Sequence, residues 1–222
     1  MLYIVSTPIG NLRDITLRGL EVLKTVDLIA AEDTRHTRIL LEHFQIITPL
    51  TSYFEHNEKK KAQYLLGFLK EGKNIALVTD AGTPGISDPG YRLVDLARTE
   101  GIAMTVVPGP CALIAALSLS ALPTDSFVFA GFLPVKAGGR KNKLAEFLNE
   151  KRTVIFYESP HRLLKTLADM RDVLFDPEVV AAREITKKFE EVRRGKASEL
   201  LAHFSKTAPK GEFVLLLARG SR

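Results

Sequence analysis

Residues 75–91 read Ile75-Ala76-Leu77-Val78-Thr79-Asp80-Ala81-Gly82-Thr83-Pro84-Gly85-Ile86-Ser87-Asp88-Pro89-Gly90-Tyr91. The four apolar residues at the start suit a short strand buried on both faces. A turn carrying three glycines and two prolines follows, and helical periodicity begins near Tyr91. Open α/β sheets bind ligands where a buried strand ends in such a turn and a helix opens. Glycine permits close backbone approach and proline removes loop freedom. This stretch therefore predicts an α/β fold and a loop of fixed shape facing a ligand.

Strand-like and helix-like segments alternate outward from that loop. Upstream, residues 3–7, 28–32 and 49–53 read as extended, and 16–25, 37–44 and 58–70 as helical. Downstream come a helix at 92–99, a strand at 103–107 and an apolar helix at 112–122. The pattern then restarts. Strands are expected at 127–132, 153–157, 179–182 and 213–218, and helices at 142–150, 162–174 and 197–204. Residues 190–195 read as an extra strand or hairpin arm. This alternation predicts largely parallel sheets. The helix before 121–126 ends in Leu-Pro-Thr-Asp, where the charge balance also changes. The expected organisation is two α/β lobes, 1–122 and 123–222, with a cleft between them.

With 222 residues, 45% apolar and 26% charged, the chain resembles an ordinary soluble globular protein. No run approaches the ~18 apolar residues of a membrane span. The first residues, Met1-Leu2-Tyr3-Ile4-Val5, enter a strand-like run without the basic segment and cleavage site of a secretory signal. A cytoplasmic location is expected. The single cysteine, Cys111, excludes an intramolecular disulfide and a multi-cysteine metal site, and no metal is expected. The net charge of +5 divides into −1 over residues 1–122 and +6 over the remainder. On charge alone a solvated basic surface is the simpler reading, with attraction to a polyanion the sharper one.

Several familiar signatures are absent. The chain has no P-loop, no Gly-x-Gly-x-x-Gly after the first strand, no His-Glu-x-x-His and no Gly-x-Ser-x-Gly. Turn-rich blocks stand instead at or near the ends of expected strands. They are Ser6-Thr7-Pro8-Ile9-Gly10-Asn11-Leu12, Glu32-Asp33-Thr34-Arg35, the opening loop, and Val107-Pro108-Gly109-Pro110-Cys111-Ala112. In the second half they are Gly131-Phe132-Leu133-Pro134, Tyr157-Glu158-Ser159-Pro160-His161-Arg162 and Arg183-Glu184-Ile185-Thr186-Lys187-Lys188. Each alone is ordinary turn chemistry; their concentration on one type of edge points to a site.

These blocks, in this order and across essentially the whole chain, resemble the ribosomal RNA small subunit methyltransferase I family of the tetrapyrrole methylase superfamily. The opening loop and Pro-Gly-Pro carry the resemblance to the superfamily. Thr-Pro-Ile-Gly-Asn-Leu, Glu-Ser-Pro-His-Arg and Arg-Glu-Ile-Thr-Lys carry the resemblance to the rRNA family. The resemblance implies two α/β lobes with S-adenosylmethionine (S-adenosyl-L-methionine) in the cleft between them. It implies 2′-O-methylation of a cytidine ribose in the decoding region of 16S rRNA, with 16S rRNA or the small ribosomal subunit as partner, and a homodimer. Many members carry a further C-terminal helical segment, whereas this sequence stops at Arg222.

The resemblance also assigns residues. Pro8, the loop with Asp80, Ala81, Gly82 and Ile86, the pair Cys111 and Ala112, and the neighbourhood of Phe213 are expected at the cofactor. The backbone groups of Ala81, Gly82 and Ile86 are better candidates than side chains, and Asp80 can equally be a turn cap. Phe132 and Tyr157 are candidates to stack on adenine or on a base, with core packing the commoner fate of such residues. A ribose hydroxyl is a weak acid, so a base or a cation would assist. Glu158, Glu184 and Lys187 are the catalytic candidates, with His161 and Lys188 behind them. Arg35, His161, Arg162, Arg183 and Lys188 are the candidates for RNA, since a guanidinium binds phosphate bidentately. Against these stand plainer roles: Glu184 pairing with Arg183, His161 capping a helix, and Cys111 as a small buried hydrophobe. Two rival functions remain, a methyltransferase for a tetrapyrrole or another small molecule, and a non-catalytic RNA-binding protein of the same fold.

Overall fold

A computed structural model describes residues 1–218. It divides into two compact units, Met1–Cys111 and Ala112–Arg222.

The first unit alternates β1 (Leu2–Val5), α1 (Leu17–Thr25), β2 (Leu28–Ala31), α2 (Thr34–His43), β3 (Leu50–Ser52), α3 (Glu58–Lys70), β4 (Ile75–Val78), α4 (Tyr91–Thr99) and β5 (Met104–Val107). The sheet order is β3-β2-β4-β1-β5, parallel throughout. Strand β4 is central and buried along its whole length. Ala76 and Val78 pack in one cluster with Leu23 of α1 and Leu40 and Leu41 of α2. Ile75 and Leu77 pack in another, with Leu65 and Leu69 of α3 and Leu93 and Ala97 of α4. Helices therefore cover both faces, as an uninterrupted apolar strand requires. Because every strand runs the same way, all five carboxyl ends, and the loops that follow them, share one edge.

The second unit contains α5 (Ala112–Leu119), β6 (Phe127–Phe132), α6 (Ala137–Ala145), β7 (Thr153–Glu158), α7 (Leu163–Val173), β8 (Glu178–Arg183), β9 (Glu191–Lys196), α8 (Ala197–Phe204) and β10 (Phe213–Leu217). Its order is β6-β7-β10-β8-β9. Here the expectation of a largely parallel sheet is corrected: only β6 and β7 are parallel, and the other three pairings are antiparallel. Seven residues join β8 to β9, enough for a hairpin but too few for a parallel crossover.

Two other segments differ from expectation. Helix α5, assigned from sequence to the first lobe, packs on β7 and β10 of the second unit, so the division falls at 111/112 rather than at 122/123. Its first turn is tied there, the Leu113 amide donating to the Tyr157 hydroxyl at 3.3 Å. Helix α6 spans Ala137–Ala145 rather than 142–150, running through Gly138 and Gly139, a residue type that weakens a helix interior. Buried Arg140 holds it to α7 through Asp169, Nε to Oδ2 at 2.6 Å.

Candidate active site

The loop after β4 is fastened at several points within the first unit. Thr7 and Gly82 exchange backbone hydrogen bonds of 2.8 and 3.1 Å, and Thr7 Oγ1 donates to the Thr79 carbonyl at 3.0 Å. Ser6 and Thr83 share a hydroxyl contact of 2.9 Å, and Thr83 Oγ1 also donates to the Pro110 carbonyl at 3.4 Å. At the far end the Gly90 amide donates to Glu58 Oε1, which also accepts from the buried Tyr53 hydroxyl. Gly82 and Gly85 sit at φ of +89° and +83°, where an L side chain is strained. The loop is thus held by the ends of β1, β3 and β5.

Glu32 and Asp33, after β2, brace its acidic start. The Asp33 amide donates to Asp80 Oδ1 at 3.0 Å, while Thr79 Oγ1 and the Asp80 amide donate to Glu32 Oε2. Burial pushes the Asp80 carboxyl up; the Asp33 amide opposes this and Glu32 adds to it. Asp33 also caps α2, and hydrogen bonding from Arg35 holds its carboxyl well below the usual range. Thr7, Pro8, Gly10, His36, Thr37, Thr79 and Asp80 border a recess of about 80 Å³. That is room for a few waters or one functional group, not for a nucleoside. Larger contact must come from the exposed loop surface, where Ala81 and Ile86 are open to solvent.

The second unit gathers its blocks on one sheet edge. Pairing sets Phe132 beside Tyr157, Glu158 beside Phe213, Phe213 beside Arg183, and Arg183 beside Glu191. Glu158 is buried with both oxygens engaged: Oε1 accepts from the Ser159 amide and Arg162 Nε, and Oε2 from Thr166 Oγ1. Arg162 also donates to the Leu133 carbonyl at 2.9 Å. Glu184 accepts from Lys187 Nζ and from the Glu212 amide, each at 3.0 Å. Burial raises the Glu184 carboxyl, but the Glu212 amide and Lys187 outweigh it and leave it below the ordinary range. Burial lowers the Lys187 ammonium, and Glu212 and Glu184 more than reverse that, leaving it above its ordinary value. The turn carrying these groups is strained, with Glu184 at φ 50° and Thr186 at φ 68°.

The profile of the Tetrapyrrole (Corrin/Porphyrin) Methylases matches residues 1–201. The chain belongs to this family. It is 55% identical over 220 residues to a ribosomal RNA small subunit methyltransferase I of Vibrio cholerae, covering 98% of this chain and 76% of that one. A relative of the same name from Thermotoga maritima is 50% identical, covering 98% and 97%. Among solved structures, the cobalamin biosynthetic enzyme cobalt precorrin-4 methyltransferase superposes with a TM-score of 0.70 at 20% identity, over 98% of this chain and 94% of that one. Uroporphyrin-III-C-methyltransferase from Thermus thermophilus gives 0.68 at 19%, over 98% and 94%. At such identities the structures speak for the tetrapyrrole methylase fold alone.

Within that fold, Pro8, Asp80, Ala81, Gly82 and Ile86 come together at the first sheet's carboxyl edge, but not as equals. The Gly82 amide and carbonyl bond to Thr7, which leaves the Ala81 backbone and the Ile86 carbonyl as the more open of the three backbone candidates. The Phe213 ring is buried against Phe204 with centroids 5.4 Å apart, so its neighbourhood offers backbone rather than the aromatic face. Cys111 and Ala112 are half-buried at the junction of the units. Arg35 is exposed but clasped by Asp33, Nη2 to Oδ2 at 2.6 Å. Arg183 is tied to the Lys210 carbonyl and to Glu191, while His161 and Lys188 stay on the surface. Sequence reading missed Tyr53, Glu58, Gly211 and Glu212. The first two lie outside any glycine-rich block, and Gly211 and Glu212 signal only as a turn before β10.

Proposed function

We propose that the protein transfers a methyl group from S-adenosylmethionine to the ribose 2′-hydroxyl of a cytidine in the decoding region of 16S rRNA. The observation that carries this reading is the contrast in relatedness. Identity is 55% across nearly the whole chain to a protein named for small-subunit rRNA methylation, against 20% to one named for cobalamin biosynthesis. The basic second unit supports an RNA substrate over a tetrapyrrole. The same reading has the protein act as a homodimer in the cytoplasm.

Adenosylmethionine supplies a methyl group already activated on a sulfonium, so the residues mainly position and polarise. A pre-shaped loop suits that task, since alignment alone can supply about 7–11 kcal/mol of a barrier. The open Ala81 backbone, the Ile86 carbonyl and the exposed Ile86 side chain would hold the donor, and Pro8 and Asp80 would bound it. Glu158 is withdrawn from the role of base, because its side chain is buried and both oxygens are engaged, by Ser159 and Arg162 on one and Thr166 on the other. Glu184 is likewise engaged, and Lys187 is held as a cation. We assign Lys187 to stabilise charge developing on the ribose oxygen as the hydroxyl proton leaves to solvent water, with Glu184 and Glu212 fixing the ammonium's position.

The test is methyl transfer to 30S subunits that lack the modification, with the product mapped by mass spectrometry. One methyl on a cytidine ribose of the decoding region is expected. Methyl on a base, or on a tetrapyrrole in place of RNA, rejects the assignment.

A further inference from the structure

The last residue of β6 is out of step with its strand. In β6, Phe127, Phe129 and Phe132 pair with Thr153, Ile155 and Tyr157 of β7, so three steps along β6 match two along β7. The extra residue is a bulge, and Gly131 within it sits at φ +62°. Val128 and Ala130 face the core shared with Leu133, Val154 and Phe156. Strict alternation would send residue 132 to that same core. The bulge turns Phe132 to the opposite face, beside Tyr157, and leaves the residue 54% exposed.

The exposed ring is held, not loose. Phe132 meets Tyr157 edge-on with centroids 5.7 Å apart, and Tyr157 in turn meets Phe129 at 4.9 Å. The Arg162 guanidinium lies over the Phe132 ring at 5.9 Å, fixed by its bonds to buried Glu158. Two arginines then pin the chain just beyond, Arg162 on the Leu133 carbonyl and Arg140 on the Val135 carbonyl. A bulge that exposes an aromatic, two buried ion pairs that lock the following loop, and a cation against the ring are more than core packing calls for.

We infer that Phe132 is the stacking platform for the nucleobase of the target nucleotide, with Arg162 fixing the ring. A flat, rigid, exposed ring beside a guanidinium, on a unit of net charge +6, suits an unstacked base carried on a phosphate backbone. This assignment rests on the rRNA reading above and names the residue that would hold the substrate base.

The experiment compares Phe132→Ala, Phe132→Leu and Phe132→Trp with the parent protein. It measures methyl transfer to unmodified 30S subunits and adenosylmethionine binding by calorimetry. Phe132→Ala and Phe132→Leu should lower kcat/KM for subunits about tenfold or more, the loss of one stacked base. Phe132→Trp should stay within about threefold of the parent, because any aromatic face stacks a base. Adenosylmethionine affinity should hold in all three. Parallel loss of adenosylmethionine affinity would assign the ring to the cofactor, and full activity in Phe132→Leu would reduce it to apolar packing; either overturns the inference. If the parent itself fails to methylate 30S subunits, the rRNA reading has failed instead.

Discussion

Thr7 and Gly82 exchange both backbone hydrogen bonds across 75 residues of sequence, joining the first strand's exit loop to the loop after β4. With Gly82 at φ +89°, the bridge fixes a backbone shape that other residues adopt only under strain. A Cβ there would meet Ile9 Cγ2 at 3.6 Å and the Pro110 carbonyl at 3.7 Å, both ordinary contacts. Gly82→Ala should therefore cost about 1–2 kcal/mol through conformation rather than collision. Thermal unfolding reads the stability, and calorimetry with adenosylmethionine should show weaker binding as the loop relaxes. Wild-type binding in the alanine variant would mean that the loop's exact shape does not matter to the donor.

Glu158 offers a second test, because two roles for it diverge. As the buried partner of Arg162, Thr166 and Ser159, its replacement by Gln leaves a largely buried guanidinium short of charge. Removing one member of such a pair costs roughly 3 kcal/mol. Glu158→Gln should lower the unfolding midpoint clearly and reduce activity through the displaced Arg162. If stability is unchanged while turnover vanishes, Glu158 is a base after all.

How far such roles are legible in sequence differs between the two edges. The carboxyl edge of the first sheet was readable, because parallel strands place every β-to-α loop on one side. Ser6-Thr7-Pro8, Glu32-Asp33 and the opening loop were therefore grouped correctly from spacing alone. The second edge obeys no such rule. Antiparallel β10 brings its first residue, Phe213, between the last residues of β7 and β8. Glu212 thus reaches Lys187 from 25 positions away, and no local pattern announces it. Phe132 stands out in the sequence as an aromatic, but its direction depends on a one-residue bulge that alternation does not forecast.

Gly211 tests the Glu184 and Lys187 cluster. A Cβ on Gly211 would stand 2.4 Å from Glu184 Cδ, at a φ of +86° that already disfavours side chains. Gly211→Ala should displace the Glu184 carboxylate from the Glu212 amide and release Lys187, at a cost of about 1–3 kcal/mol. The pH dependence of the parent has a definite sign. Glu184 titrates below its unfolded value, so its contribution is present above about pH 4.5 and fades as pH falls through the folded value. Lys187 titrates above its unfolded value, so its contribution is present below about pH 10.5 and fades as pH rises past the folded value. Stability curves of parent and Gly211→Ala should draw closer at both extremes, down to the pH-independent cost of the strained φ, and a constant gap across pH would place the whole cost in backbone strain.

Asp80 should behave in the opposite sense. Burial, with Glu32 close by, raises its carboxyl above 3.8, so the folded state binds a proton more tightly than the unfolded chain. Stability then falls as pH rises from 3.8 through the raised value, and the deficit persists at neutral pH. Asp80→Asn keeps an oxygen to accept from the Asp33 amide while removing the charge beside Glu32. The variant should be more stable than the parent at pH 7, with the difference vanishing below pH 3.8. Asp80 lines the recess it shares with Pro8 and Thr7, so donor binding should weaken several-fold even as stability rises. Unfolding curves from pH 3 to 8 and adenosylmethionine titrations separate the two effects. Lower stability at neutral pH would show that the charge braces the loop, and unchanged donor affinity would leave Asp80 a structural group only.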